Sequence, residues 1–136
     1  MYCCLHCSRA LTNRRSIYCS FKCQNDFAYS QYIDEWKRVL RDGGRGRVTR
    51  NFSQHVIRYL REQSGNACQL CGWDKAHPIT GRVPLEIDHI DGNAENNTPG
   101  NLRLICPNCH ALTANYRNLN SGKGRTWRRQ KYIKSQ

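Results

Sequence analysis

The chain has no long apolar run. Its first fifteen residues, MYCCLHCSRALTNRR, are polar and basic, so neither a signal peptide nor a membrane span is expected. Acidic residues are scarce: 10 Asp and Glu stand against 22 Lys and Arg, a formal net charge of +12. Residues 116–136 hold seven basic side chains and no acidic one. That imbalance points to a polyanion, most simply nucleic acid, and basic arms that only aid solubility are the plainer alternative. No internal repeat of useful length is visible, which excludes a repeat array. At 136 residues the chain forms one domain or two very small ones, too short for a large core, so some staple is expected.

Cysteine is what the chain has in excess, nine in all. Without a leader the expected compartment is the reducing cytoplasm, which disfavours disulfides and favours metal thiolates. Cys68 and Cys71 form one C-x2-C pair, and Cys106 and Cys109 form another after 34 intervening residues. Four thiolates at this spacing make a closed, tetrahedral and therefore structural zinc site. Cys4, Cys7, Cys19 and Cys23 offer a second zinc site, with Cys3 able to stand in for Cys4. A redox dithiol or a pair of disulfides is the competing use of the same residues.

The charge divides the chain. Residues 1–50 balance at +6, residues 51–115 at −1 and residues 116–136 at +7. Four regions follow: an N-terminal Cys4 finger with a helix over 1–41, a basic flexible linker over 42–50, a central domain over 51–120, and a basic tail over 121–136. Helical spacing of Phe27, Ile33, Trp36 and Leu40 predicts a helix over 24–41. A second helix is predicted over 52–63, started by Asn51 or Ser53 and stopped by Gly65. A strand over 82–90, an Asn- and Gly-rich loop over 91–101, a strand over 102–105 and a helix from Pro107 to about Tyr116 complete the centre.

Four sulfurs leave His110 unemployed, one residue past the zinc clip. Asp88 and His110 suit a divalent ion with open positions, and His89 suits a general base. Adjacent strand residues face opposite sides, so Asp88 and His89 can serve one phosphate only if the strand bends or ends there, and Asp91-Gly92 is suited to such a turn. Glu86 is a spare carboxylate on the Asp88 side. Packing roles for His89 and His110, and ordinary loop roles for Asn93, Asn96 and Asn97, are the plainer uses of these residues.

LEIDHIDGN followed by NNTPGNLRLICPNCH resembles the HNH endonuclease family, especially its small phage and bacterial forms with a four-cysteine zinc site. The resemblance covers about residues 66–120. It implies a small α+β, zinc-stabilised protein with a ββα-metal finger, preceded by helices and an N-terminal zinc finger. It also implies that Asp88 and His110 bind a catalytic Mg²⁺ or Mn²⁺, that His89 is the base, and that Asn101 braces the loop and helps orient His89. Many members carry a lysine three residues after the metal-binding histidine. Thr113 stands there, leaving Asn115 or Arg117 as substitutes.

The expectation is a metal-dependent DNA endonuclease of a bacterial or phage-infected cytoplasm, with no membrane partner. It hydrolyses phosphodiester bonds to 5′-phosphate and 3′-hydroxyl ends. The rival is a non-catalytic zinc-finger protein that binds nucleic acid, for which the Asp88, His89 and His110 set is unnecessary. Arg45, Arg47, Arg50, Arg117, Lys123, Arg125, Arg128 and Arg129 are the expected DNA contacts.

The charge division yields the first test. The near-neutral centre cannot hold a duplex by charge alone, and each phosphate contact adds about −0.9 to the slope of log affinity against log salt. Removing residues 122–136 is expected to flatten that slope by about 2–3 units, measured by DNA binding across a salt titration.

Overall fold

A computed structural model describes residues 1–44 and 52–120. The chain divides into two compact units, Met1–Arg41 and Asp42–Gln136. Arg45, Arg47, Arg50, Lys123, Arg125, Arg128 and Arg129 lie outside the described residues.

In the first unit a short knuckle precedes a helix. Cys3 and Ala10 form an antiparallel bridge, and the Cys4 N–H donates to the Arg9 carbonyl at 2.9 Å. Helix α1, Phe21–Lys37, begins after Ser20, whose hydroxyl accepts the Cys23 N–H at 3.1 Å. Ser20 explains why the helix starts earlier than the apolar spacing alone predicts. It also ends earlier. Val39 turns left-handed (φ 59°), and the N–H groups of Arg38, Val39 and Leu40 close on the carbonyls of Asp34, Trp36 and Glu35. Ile33 and Trp36 are buried, whereas Leu40, beyond the helix end, is exposed.

The second unit is α+β. Helix α2, Gln54–Ser64, is capped by Ser53, which accepts the His55 N–H at 3.2 Å, and ends at left-handed Gly65. It buries Val56 and Leu60. A tight knuckle follows, closed by the Cys68 N–H to the Trp73 carbonyl and the Gly72 N–H to the Cys68 carbonyl, both 2.8 Å. Strands β1, Glu86–His89, and β2, Leu102–Ile105, pair antiparallel with Glu86 opposite Ile105 and His89 opposite Leu102. The expected strand over 82–90 is shorter because Pro84 has no N–H for a ladder and the chain turns there, Leu85 N–H to Val83 carbonyl at 2.9 Å. Helix α3, Pro107–Ala111, starts directly after β2 and stops after its fifth residue, well short of Tyr116. The N–H groups of Leu112 and Thr113 close on the carbonyls of Cys109 and His110, three residues back, so the last turn tightens and the helix ends.

The core sits where these elements meet. Val56, Leu104 and Ile105 are completely enclosed, each worth roughly 1.5–3 kcal/mol by burial. Cys68, Ile105 and Cys106 form one buried cluster, with Leu85 and Cys109 packed against it. The segment expected to be a loose linker is partly structured. Gly44 bridges to Phe52, and the Ser53 N–H donates to the Gly43 carbonyl at 3.0 Å.

The turn after β1 is held by Gly92. Its φ is +75°, and a Cβ there would lie 2.6 Å from both Asn115 Cγ and Asn120 Oδ1. Left-handed strain and overlap act together, so Gly92→Ala is expected to lower stability by about 1–3 kcal/mol, read from urea or thermal unfolding.

Candidate metal and catalytic centre

The two cysteine groups form as clusters. In each of the sets Cys4, Cys7, Cys19, Cys23 and Cys68, Cys71, Cys106, Cys109, the four sulfurs lie within 4.8 Å of one another. Zinc bonded at about 2.3 Å to four sulfurs spaces them about 3.8 Å apart. The sulfurs of Cys71 and Cys106 are 3.8 Å apart, and Cys7–Cys19 and Cys19–Cys23 are each 3.5 Å apart. Disulfide sulfurs bond at about 2.0 Å, so these are free thiols at metal spacing. Cys4 is buried within its set, and the neighbouring Cys3 is exposed outside it.

The electrostatics call for a cation. Burial pushes the Cys68 thiol up, but the N–H groups of Cys106, Cys71 and Leu70 outweigh it and bring it down to about 6. Cys4 is likewise pushed up by burial and brought down to about 6, by the N–H groups of Cys7, Cys19 and His6. Sulfur-to-sulfur hydrogen bonds favour the thiol form elsewhere. Cys109, beside Cys71 and Cys106, is pushed up to about 12, as is Cys19 beside Cys23 and Cys7. Each cluster therefore has one readily ionised member and one strongly resistant to ionisation. A metal ion such as zinc, held by these sulfurs, would supply the positive charge that makes four thiolates stable together.

Helix α3 carries His110 one turn beyond Cys106, with the His110 N–H on the Cys106 carbonyl at 2.9 Å. The imidazole reaches β1. Its Nδ1 is 2.5 Å from Glu86 Oε2, and its Nε2 is 3.9 Å from Asp88 Oδ1. With Nδ1–H donated to the Glu86 carboxylate, Nε2 presents its lone pair toward Asp88. Asp88 is buried, and its other oxygen, Oδ2, accepts Arg103 Nε–H at 2.7 Å from the paired residue of β2. Asp88 Oδ1 and His110 Nε2 are too far apart to hydrogen-bond. Both are within reach of one ion bonded at about 2.1 Å to each. A carboxylate oxygen and an imidazole nitrogen could together hold a divalent ion, with its remaining positions left for water.

His89 is the last residue of β1, and the chain turns directly after it, Gly92 N–H to His89 carbonyl at 2.9 Å. Its Nε2 is 2.8 Å from Asn97 Oδ1, and its ring lies 5.5 Å from that of Phe52. Asn97 is buried and donates Nδ2–H to Asp42 Oδ1 at 3.2 Å. Asn101 holds the loop. It accepts the Asp91 N–H and donates to Asp91 Oδ1 and the Asn96 carbonyl, at 2.8–2.9 Å. The Asn96 amide, with the Asn93 N–H and Asn101 amide, holds the Asp91 carboxyl below the ordinary value. That bracing is present at neutral pH and is lost as pH falls through the depressed value.

The resemblance implies that Asn101 braces the loop and helps orient His89; Asn101 bonds within the loop, and the side chain bonded to His89 is Asn97. Four asparagines crowd this loop, and nothing local distinguishes one from another. Asp42 lies 47 residues before His89 and carried no signal. Glu86 did: it shares a strand face with Asp88 at i, i+2. Thr113 turns its hydroxyl back onto the His110 carbonyl at 2.9 Å. Asn115 reaches the Ile90 carbonyl at 3.5 Å, and Arg117 stacks over Tyr116. A groove of about 370 Å³ is lined by Gln54, Ile57, Asn66, Gly81 and three arginines, Arg58, Arg61 and Arg82, which composition alone had not singled out.

Residues 68–115 match the HNH endonuclease family. Over 56 residues, 41% of this chain, the sequence is 45% identical to the H-N-H endonuclease F-TflIV of Escherichia phage T5. The chain spans about a quarter of that relative's length, 24%. No solved structure is significantly similar. Among the described residues no helix is long and apolar enough to cross a membrane.

Elemental analysis of purified protein is expected to find two zinc ions per chain. His110→Ala is expected to keep both, and Cys106→Ser to lose one and the fold of the second unit with it. Protons compete with metal for thiolates, so zinc re-uptake by stripped protein should rise with pH as the cysteines lose their protons.

Proposed function

Residues 68–115 carry an HNH endonuclease domain, and we propose that through it the chain cuts DNA as a metal-dependent phosphodiesterase with the β1, β2 and α3 elements acting as a ββα-metal finger. The observation that carries this reading is the facing pair His110 Nε2 and Asp88 Oδ1. Glu86 and Arg103 occupy the other polar atoms of the two groups, so these two alone are turned toward a shared position. A protein that only binds nucleic acid has no need of such a pair.

Asp88 and His110 would hold Mg²⁺ or Mn²⁺. Such an ion would supply positive charge against the phosphate and the charge that develops on its leaving group. The protein's own groups do the rest. His89 takes a proton from the water that attacks phosphorus in line, the P–O3′ bond breaks, and the departing 3′ oxygen takes a proton from solvent, giving a 5′-phosphate and a 3′-hydroxyl. β1 ends at His89, so the base and the Asp88 side chain flank the strand terminus from its two faces. Asn101 keeps the following loop closed, which holds the strand end in place. The zinc clusters have no open position and serve the fold.

DNA is drawn by charge outside the centre: Arg45, Arg47, Arg50 and Arg117, with Lys123, Arg125, Arg128 and Arg129 of the tail. The groove arginines Arg58, Arg61 and Arg82 add a further place for backbone phosphates. Both nicking and double-strand cutting fit this arrangement.

Purified protein is expected to relax or linearise supercoiled plasmid with Mg²⁺ or Mn²⁺ and to stop on addition of EDTA. His89→Ala should keep zinc content and fold but cut roughly 10²–10⁴ times more slowly. A variant that cuts at the wild-type rate would remove His89 from this role.

A further inference from the structure

We infer that Asp42 and Asn97 form a positioning pair that fixes which ring nitrogen of His89 carries the proton. The inference rests on the role proposed above for His89 and adds what prepares it. Asn97 is 4% exposed, and its amide has one end that only donates and one that only accepts. The donor end, Nδ2, faces Asp42 Oδ1 at 3.2 Å. A carboxylate only accepts, so the amide cannot be turned round without setting two acceptors against each other. The acceptor end, Oδ1, therefore faces His89 Nε2 at 2.8 Å, and Nε2 must carry the hydrogen. A neutral imidazole with Nε2–H has a bare Nδ1, which is the atom able to take a proton from water.

Asp42 is itself held. Its Oδ1 also accepts the Gly44 N–H at 3.2 Å. Gly44 is close to both partners: a Cβ there would lie 3.4 Å from Asn97 Nδ2 and 3.4 Å from Asp42 Oδ2. The Gly44–Phe52 bridge fixes this segment against the start of α2, and the same Phe52 lies against the His89 ring. One short stretch thus anchors the pair and walls the imidazole. Asn101 has a different task, since its bonds go to Asp91 and Asn96.

The test uses the full zinc-loaded chain and reads the His89 tautomer by ¹⁵N–¹H imidazole correlation at a pH where the ring is neutral, with His89→Ala for assignment. Wild type is expected to show Nε2–H alone. Asn97→Ala and Asp42→Ala should show a mixture of tautomers, with kcat on DNA reduced about 10–100-fold and KM unchanged, because neither residue touches substrate. Asp42→Asn should retain the Nε2–H form, since its Oδ1 still accepts from Asn97 and Gly44. A single Nε2–H tautomer in both alanine variants overturns the pair, whatever the cutting activity. If Asn97→Ala loses its dispersed spectrum, the tautomer in Asp42→Ala decides. Absence of cleavage by wild type would instead sink the nuclease reading, while the tautomers still judge the pair.

Discussion

Cys106 is the residue on which the rest of the second unit depends. Its sulfur sits 3.8 Å from that of Cys71 and caps the Cys109 N–H at 3.4 Å. Its carbonyl receives the His110 N–H. The residue before it, fully buried Ile105, pairs with Glu86. One position therefore joins the sulfur cluster, the two-stranded sheet and the helix that carries His110. A sheet of two four-residue strands is marginal alone in water, and a five-residue helix is far below the length that is stable by itself. Metal-thiolate energy is the natural source of the missing stability.

The same economy governs the charges. Asp88 is buried against Arg103, and Glu86 is committed to His110, so the carboxylates of β1 have partners before any substrate arrives. A phosphate approaching this face meets negative charge unless a cation stands between. In the proposed reading, metal dependence is thus a matter of electrostatics as well as of chemistry. In sequence, the strongly basic stretches lie before and after this near-neutral centre, and the proposed reading gives them the attraction of a polyanion.

Much of this was legible in the sequence because it is encoded locally. The cysteine spacing, the Ser53 and Gly65 helix boundaries, the limits of β2 and the adjacency of Asp88 and His89 can each be read from a few neighbouring residues. What was missed depends on contacts distant in sequence or on single-residue geometry. Val39 and Pro84 trimmed α1 and β1 through backbone conformation, which a hydrophobic period does not see. The bond between His89 and Asn97 could not be chosen among several loop asparagines. Asp42, in a Gly-rich stretch that looks like linker by composition, enters only because the chain returns through Phe52.

Strand alternation makes β1 intolerant of changes in length. Glu86 and Asp88 face His110 because every second residue of a strand lies on the same side, with only Ile87 between them. One residue inserted or deleted between Leu85 and His89 would shift this alternation and turn at least one of the two carboxylates away from α3. A residue added near Glu95, at the apex of the Asn-rich loop, leaves that alternation intact. Evolutionary drift in length should therefore accumulate at the loop apex and spare the strand, so that related chains differ in how far apart the two strands lie in sequence and not in how they are paired.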